Sequence, residues 1–114
     1  MRTLCSPPTP IPAAVLTAAI YAARAAADAV ADDGACNLDS TFILLDKGDR
    51  GRWLEKQILA TGLRCHKRRW IGMRGIMVTP PNEGQAGKRS ASNQAFCDAL
   101  RAGGVRAITY MQMD

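Results

Sequence analysis

Two strand-like segments flank a tight turn in residues 63–79, which read LRCHKRRWIGMRGIMVT. The turn is Ile71-Gly72, and a two-residue connection that contains glycine is typical of a β-hairpin. Two prolines follow the second segment, and their missing backbone N–H groups end the strand. We therefore predict a hairpin with strands over 63–70 and 73–79.

A continuous apolar run, TFILLD, occupies residues 41–46 between Ser40 and Gly48. An unbroken apolar run of this length is typical of a strand that is buried on both faces. We expect this strand to lie at the centre of the sheet.

Three helices are predicted around these strands. Residues 13–31 are dominated by alanine, which is the best helix former. A second helix over 50–61 has an apolar face and Asp49 as its N-cap, and a third begins at the N-cap Ser90. A strand over residues 105–113 completes the pattern.

Two segments carry no predicted element. Residues 1–12 contain four prolines, so we expect a flexible, extended arm. Residues 82–89 are polar and glycine-rich, which predicts a mobile surface loop. Since 114 residues leave room for one core, residues 13–114 are expected to form a single small domain.

The order of elements after the first helix is strand, helix, strand, strand, helix, strand. This order predicts an α/β (α+β) protein, in which an N-terminal alanine-rich helix precedes a ferredoxin-like βαββαβ sandwich with a mostly antiparallel four-stranded sheet. Right-handed crossovers would place the two later helices on one face of the sheet. The other face is then left for the alanine-rich helix, a partner or a ligand.

The charge is unevenly distributed. The chain has 15 Lys and Arg against 10 Asp and Glu, a formal net charge of +5. The first 40 residues hold two arginines and four aspartates, so the excess positive charge lies entirely after residue 40. Five cations and no acid fall within residues 64–74, the predicted hairpin. Because alternate residues of a strand face opposite ways, this hairpin is basic on both sides and is expected at a sheet edge.

Guanidinium groups beside an indole are suited to binding phosphates and stacking on bases. In this interpretation the cations position a nucleic-acid backbone, while Trp70 or Phe42 stacks on a base. The simpler alternative is that the charges only protect an edge strand from aggregation. The predicted nucleic-acid or polyanion contacts are Arg64, Lys67, Arg68, Arg69, Trp70 and Arg74 in the hairpin, with Arg50, Arg52, Lys88 and Arg89 on nearby loops and helix starts.

No metal site or cofactor is predicted. The four cysteines are widely separated, and the one close pair of metal-ligand types, Cys65-His66, would point to opposite faces of a strand. Strand alternation indicates that Cys65 is a core residue, and a thiol activated by the neighbouring cations is the alternative. Reduced cysteines favour a cytoplasmic protein. Arg24 and Asp28 interrupt the alanine-rich segment and argue against a membrane span.

These patterns predict a small, non-enzymatic basic binding protein that contacts nucleic acid or another polyanion through the hairpin at residues 64–74. The alternative is a protein-protein interaction module or inhibitor that docks on an acidic surface, with the alanine-rich helix forming a homodimer. A third hypothesis is a magnesium-dependent nuclease built on Asp46 and Asp49. The sequence has no G-x-S-x-G motif and no phosphate-binding G-x-x-x-x-G-K-[ST] loop, which argues against those enzyme classes.

Overall fold

The computed structural model describes residues 11–30, 39–46, 48, 50–81 and 86–110. These residues form three helices and four strands, which gives a mixed α/β architecture as predicted. The elements are α1 (Ala13–Asp28), β1 (Ser40–Leu44), α2 (Arg52–Ala60), β2 (Cys65–Trp70), β3 (Met73–Val78), α3 (Ala86–Ala102) and β4 (Ala107–Tyr110).

The four strands form one sheet in the order β2-β3-β1-β4, and every neighbouring pair is antiparallel. The predicted hairpin is present as β2 and β3, which pair from Cys65 opposite Val78 to Trp70 opposite Met73. The apolar run forms β1, which lies inside the sheet between β3 and β4. The basic strand β2 lies at the sheet edge, where exposed charges also discourage pairing with another chain.

The core fills the space between one face of the sheet and the helices. Ile43 of β1 pairs with Ile76 of β3, so both side chains point to this face, and both are buried. Ile58 of α2 and Phe96 of α3 belong to the same apolar cluster and are fully buried. Phe42 points to the opposite face, termed the open face.

The alanine-rich helix α1 packs against α3 rather than on the open face. Ala19 and Ala23 of α1 are fully buried in the same core cluster as Phe96. At the end of α3, a side chain at Gly103 would lie only 2.4 Å from Val15 of α1. Small side chains permit this close approach of two helices. Because α1 packs against α3 in the helical layer, it does not occupy the open face.

Helix boundaries differ from the predictions in two places. The third helix begins at Ala86, so residues 86–89 are helical and not part of a loop as predicted. The N-cap of α2 is Gly51 with a φ of 74°, and no side chain caps this helix. Asp49, the predicted N-cap, lies outside the described residues, as do the end of the first predicted helix and residues 111–113 of the last predicted strand.

Most of the predicted arm lies outside the described residues, but its end is anchored. Ile11 is buried, and its backbone N–H donates a hydrogen bond of 2.9 Å to Oε1 of Gln57 in α2. The Gln57 side-chain amide donates in return to the Ile11 carbonyl oxygen. The prediction of a flexible arm is therefore wrong at Ile11, because its buried side chain and its hydrogen-bonded backbone fix this residue to the core.

The hairpin turn is strained at its first residue. Ile71 and Gly72 both have positive φ, at 52° and 74°, as a two-residue type I′ turn requires. Gly adopts this region freely, whereas a β-branched residue there is a genuine outlier. Ile71 is also 73% exposed, so its side chain contributes little packing in return.

We expect Ile71→Asn to stabilise the protein by about 1 kcal/mol, because asparagine tolerates the left-handed region that isoleucine resists. Equilibrium urea unfolding would measure the change. Ile71→Val is the matched control: it keeps the β-branch and should leave the free energy of unfolding nearly unchanged. A failure of Ile71→Asn to exceed Ile71→Val in stability would contradict the strained turn.

Candidate nucleic-acid interface

The edge strand β2 presents four consecutive exposed polar residues, His66 to Arg69. Strand alternation and the pairing register place Lys67 beside Ile76, on the side of the sheet that carries the helices. Arg69 shares that side, while Arg68 and Trp70 share the open face. The structure thus keeps the hairpin basic on both sides, in line with the sequence pattern.

A cleft gathers the cations from three segments of the chain. Arg50 precedes α2, Lys67 and Arg69 come from β2, and Arg74 comes from β3. The cleft has a volume of about 280 Å³, and none of the described residues that line it is a carboxylate. The residues that line this basic cleft are Leu45, Arg50, Lys67, Arg68, Arg69, Arg74 and Gly75.

Among the residues that the structure describes, no acid compensates the charge of the basic cleft. Arg69 and Arg74 are directly opposite each other across the hairpin, and like charges in that position are destabilising. Within the described part of the chain, no carboxylate forms an ion pair with Lys67, Arg69 or Arg74. A bound polyanion would supply the missing negative charge.

An aromatic cluster covers part of the open face and consists of Phe42, Trp70 and Tyr110. The ring of Trp70 meets Phe42 edge-on with centroids 5.4 Å apart, and it meets Tyr110 edge-on at 4.8 Å. Phe42 is fully buried, whereas Trp70 and Tyr110 are partly exposed. The guanidinium of Arg68 lies 5.1 Å from the centre of the Tyr110 ring, and Nη2 donates a 3.5 Å hydrogen bond to the Tyr110 hydroxyl.

Gly75 lets the aromatic cluster lie close to the sheet. A side chain at this position would lie 2.5 Å from both Cζ of Phe42 and the carbonyl oxygen of Ile43. Those distances are too short for any Cβ, so only glycine leaves room for the Phe42 ring. Gly75 and Arg68 also line the basic cleft, so the cleft and the aromatic cluster meet at these two residues although most of their side chains lie on opposite faces of the sheet.

The other predicted contact residues are placed outside the basic cleft. Arg64 and Arg52 are exposed, immediately before β2 and at the start of α2. Lys88 donates a 2.9 Å hydrogen bond from Nζ to the carbonyl oxygen of Ala27 in α1. Arg89 donates from Nε to the carbonyl oxygen of Asp39, also at 2.9 Å. Because α3 begins before these residues, Lys88 and Arg89 lie on a helix. They bind backbone carbonyl oxygens of other segments.

The carboxylate Asp46 is paired with a cation. Its Oδ1 accepts a hydrogen bond from the guanidinium of Arg106, and both side chains are exposed. Asp49, its partner in the nuclease hypothesis, lies outside the described residues. Among the residues that the structure places, no group of three His, Cys, Asp or Glu side chains could hold a metal ion.

The Cys65 thiol sits on β2 but is not activated by the neighbouring cations. Burial, and to a lesser degree the negative charge of Glu55, raises the pKa of Cys65 to about 11. The Sγ atom lies 3.9 Å from the carbonyl oxygen of Glu55, to which the thiol donates. Of the two alternatives for this residue, the structure supports the packed thiol.

Alkylation with iodoacetamide tests this assignment. In a variant with the other cysteines replaced by serine, we expect the rate at Cys65 to rise about tenfold per pH unit from 7.5 to 9.5 without levelling off, since only the thiolate reacts. An unfolded control in urea should level off near pH 8.5 to 9, the ordinary range for cysteine. A plateau near pH 7 in the folded protein would contradict the raised pKa.

Tyr110 is the functional candidate that the sequence analysis missed. Its strand was predicted, and its position two residues after Ile108 placed both on one face of that strand. What the sequence did not reveal is that this face is the same one that carries Trp70, because β4 and β2 lie at opposite edges of the sheet.

Neither the helices nor the comparisons with known proteins assign the chain to a class. None of the three helices among the described residues combines the length and the apolar character needed to cross a bilayer. No family model, no curated protein and no solved structure matches the chain. The site must therefore be interpreted from its own chemistry.

Proposed function

We propose that this protein binds nucleic acid through the basic cleft, as a binding protein without catalytic activity. The observation that carries the proposal is that five cationic residues line one cleft, with no acid among the lining residues that the structure describes. Neutralising phosphates releases condensed counterions, which is the main source of affinity when a basic surface meets a nucleic-acid backbone.

The spacing of the cations suits an extended backbone better than a single small anion. Lys67 and Arg69 are two residues apart in β2, so their Cα atoms are separated by roughly 7 Å. Arg74 adds a third charge directly opposite Arg69. These cations would contact neighbouring phosphates, and such contacts position a strand without specifying its sequence.

We also infer that the sheet and its two later helices follow the ferredoxin-like plan. Support comes from the element order βαββαβ and from the order β2-β3-β1-β4 with antiparallel neighbours. In this plan the helices cover one face, which leaves the open face accessible beside the basic edge. We propose a cytoplasmic location, since Cys65 and Cys97 are free thiols.

A second candidate function is docking on an acidic surface of another protein. Trp53 and Leu59 of α2 are about half exposed, and Lys56 lies 5.6 Å from the centre of the Trp53 ring. Aromatic residues are enriched at protein interfaces, and a cation beside one is complementary to an acidic partner surface. Self-association through α1, where Tyr21 is 76% exposed, would supply the homodimer of this alternative.

Fluorescence anisotropy distinguishes the two candidates. Labelled single-stranded DNA, RNA, duplex DNA and poly-glutamate would each be titrated with the protein at 50 and 200 mM salt, with and without Mg²⁺. We expect the nucleic acids to bind, more weakly at the higher salt, and to remain uncleaved. Binding of poly-glutamate alone would favour the acidic protein partner, and cleavage of the strands would contradict a function without catalysis.

A further inference from the structure

We infer that the ligand is single-stranded nucleic acid, with its phosphates in the basic cleft and an unpaired base stacked on Trp70 of the aromatic cluster. This inference rests on the proposed function and goes beyond it. The proposed function needs only a polyanion, whereas stacking requires a base that is free of its duplex neighbours.

Arg68 connects the two halves of this site. It is among the residues that line the basic cleft, while its guanidinium lies over the Tyr110 ring on the open face and donates a hydrogen bond to the Tyr110 hydroxyl. The side chain is therefore already ordered before a ligand arrives, which lowers the entropy cost of binding. A strand with one phosphate beside Arg68 would have its adjacent base directed over the open face.

The rings of the aromatic cluster differ in burial, and therefore in what they can contact. Phe42 is fully buried and cannot contact a base, so it acts as a support for the indole. Trp70 is partly exposed and is held on two sides by edge-on contacts with Phe42 and Tyr110, at interplanar angles of 77° and 82°. A fixed, partly exposed indole next to arginines is a platform on which any base can stack.

The location of Trp70 in the chain also favours this ligand. It is the last residue of β2, directly before the exposed turn, and it follows Arg69 of the basic cleft. Successive residues of the strand therefore offer a cation to one side and an aromatic ring to the other. A duplex hides its base faces inside the helix and could use only the cationic part of this surface.

The test compares a single strand with an abasic strand that has the same phosphates, and it includes a duplex, which has about twice as many phosphates. Three labelled probes of equal length would be titrated by anisotropy: a single-stranded DNA, the same backbone with abasic sites throughout, and a duplex. We expect the single strand to bind about tenfold more tightly than the abasic strand, the gain expected from one stacked base.

Two variants separate stacking from packing. Trp70→Leu keeps an apolar residue against Phe42 but has no aromatic face, so it should bind the single strand and the abasic strand about equally. Trp70→Phe should retain part of the preference. The control Trp53→Leu, at the other tryptophan, should behave like the unaltered protein.

Tryptophan fluorescence provides a readout that does not depend on replacing Trp70. In a Trp53→Phe background Trp70 is the sole indole, and stacking should quench its emission with the single strand but not with the abasic strand. Equal affinity for the single strand and the abasic strand, with unchanged Trp70 emission, would overturn the inference and leave the proposed function standing. Failure of every probe to bind would overturn both.

Discussion

Arg69→Ala combined with Arg74→Ala is expected to weaken binding of a single-stranded oligonucleotide on the order of 50-fold at 0.1 M salt. Each arginine is expected to make one charge-assisted phosphate contact. Two such contacts together contribute about 2 to 3 kcal/mol to the free energy of binding. Anisotropy titration of the double variant beside the unaltered protein would measure the change.

The double variant should not lose stability. Arg69 and Arg74 repel each other across the hairpin, so removing both charges is expected to leave the free energy of unfolding unchanged or slightly higher. Arg24→Ala combined with Lys56→Ala removes the same net charge from exposed positions on α1 and α2 and serves as the matched control. An equal loss of affinity in both double variants would mean that net charge, and not the basic cleft, determines binding.

Phe42→Ala is expected to lower the free energy of unfolding by about 3 to 5 kcal/mol, the range for removing a fully buried phenylalanine. Phe42 lies in the interior strand β1, and its ring packs over Gly75 and against Trp70. Removing the Phe42 ring would leave a cavity between Gly75 of the sheet and Trp70. Guanidinium unfolding monitored by circular dichroism would give the change.

The control for Phe42→Ala is Tyr21→Ala, which removes an aromatic ring that is 76% exposed. An exposed substitution of this kind should change stability by no more than about 0.5 kcal/mol. A cost for Phe42→Ala close to that of the control would mean that the open face is not packed as described and would remove the support assigned to Trp70.

The strands could be predicted from the sequence because their signals are local. The apolar run at 41–46 requires burial on both sides, and an interior strand is the position that supplies it. The turn Ile71-Gly72 fixes the pairing of the hairpin, and the cations of β2 are compatible only with an edge. The same residues account for most of the basic cleft.

The features that the sequence did not predict depend on contacts between distant segments of the chain. Alanine on several sides of α1 gives no strong amphipathic direction, so the sequence could not decide between the open face and the helical layer. Residues 86–89 have no apolar pattern, and their helix was missed along with the inward bonds of Lys88 and Arg89. The position of Tyr110 beside Trp70 required the strand order, which no local motif records.

The salt dependence of binding tests the central claim most directly. The association constant of the unaltered protein for a single-stranded oligonucleotide would be measured at several salt concentrations. Four or five phosphate contacts predict a slope of log K against log salt of about −3, and Arg69→Ala with Arg74→Ala should reduce its magnitude by roughly 1.4. No binding at 50 mM salt, or a slope near zero that the double variant leaves unchanged, would contradict the account.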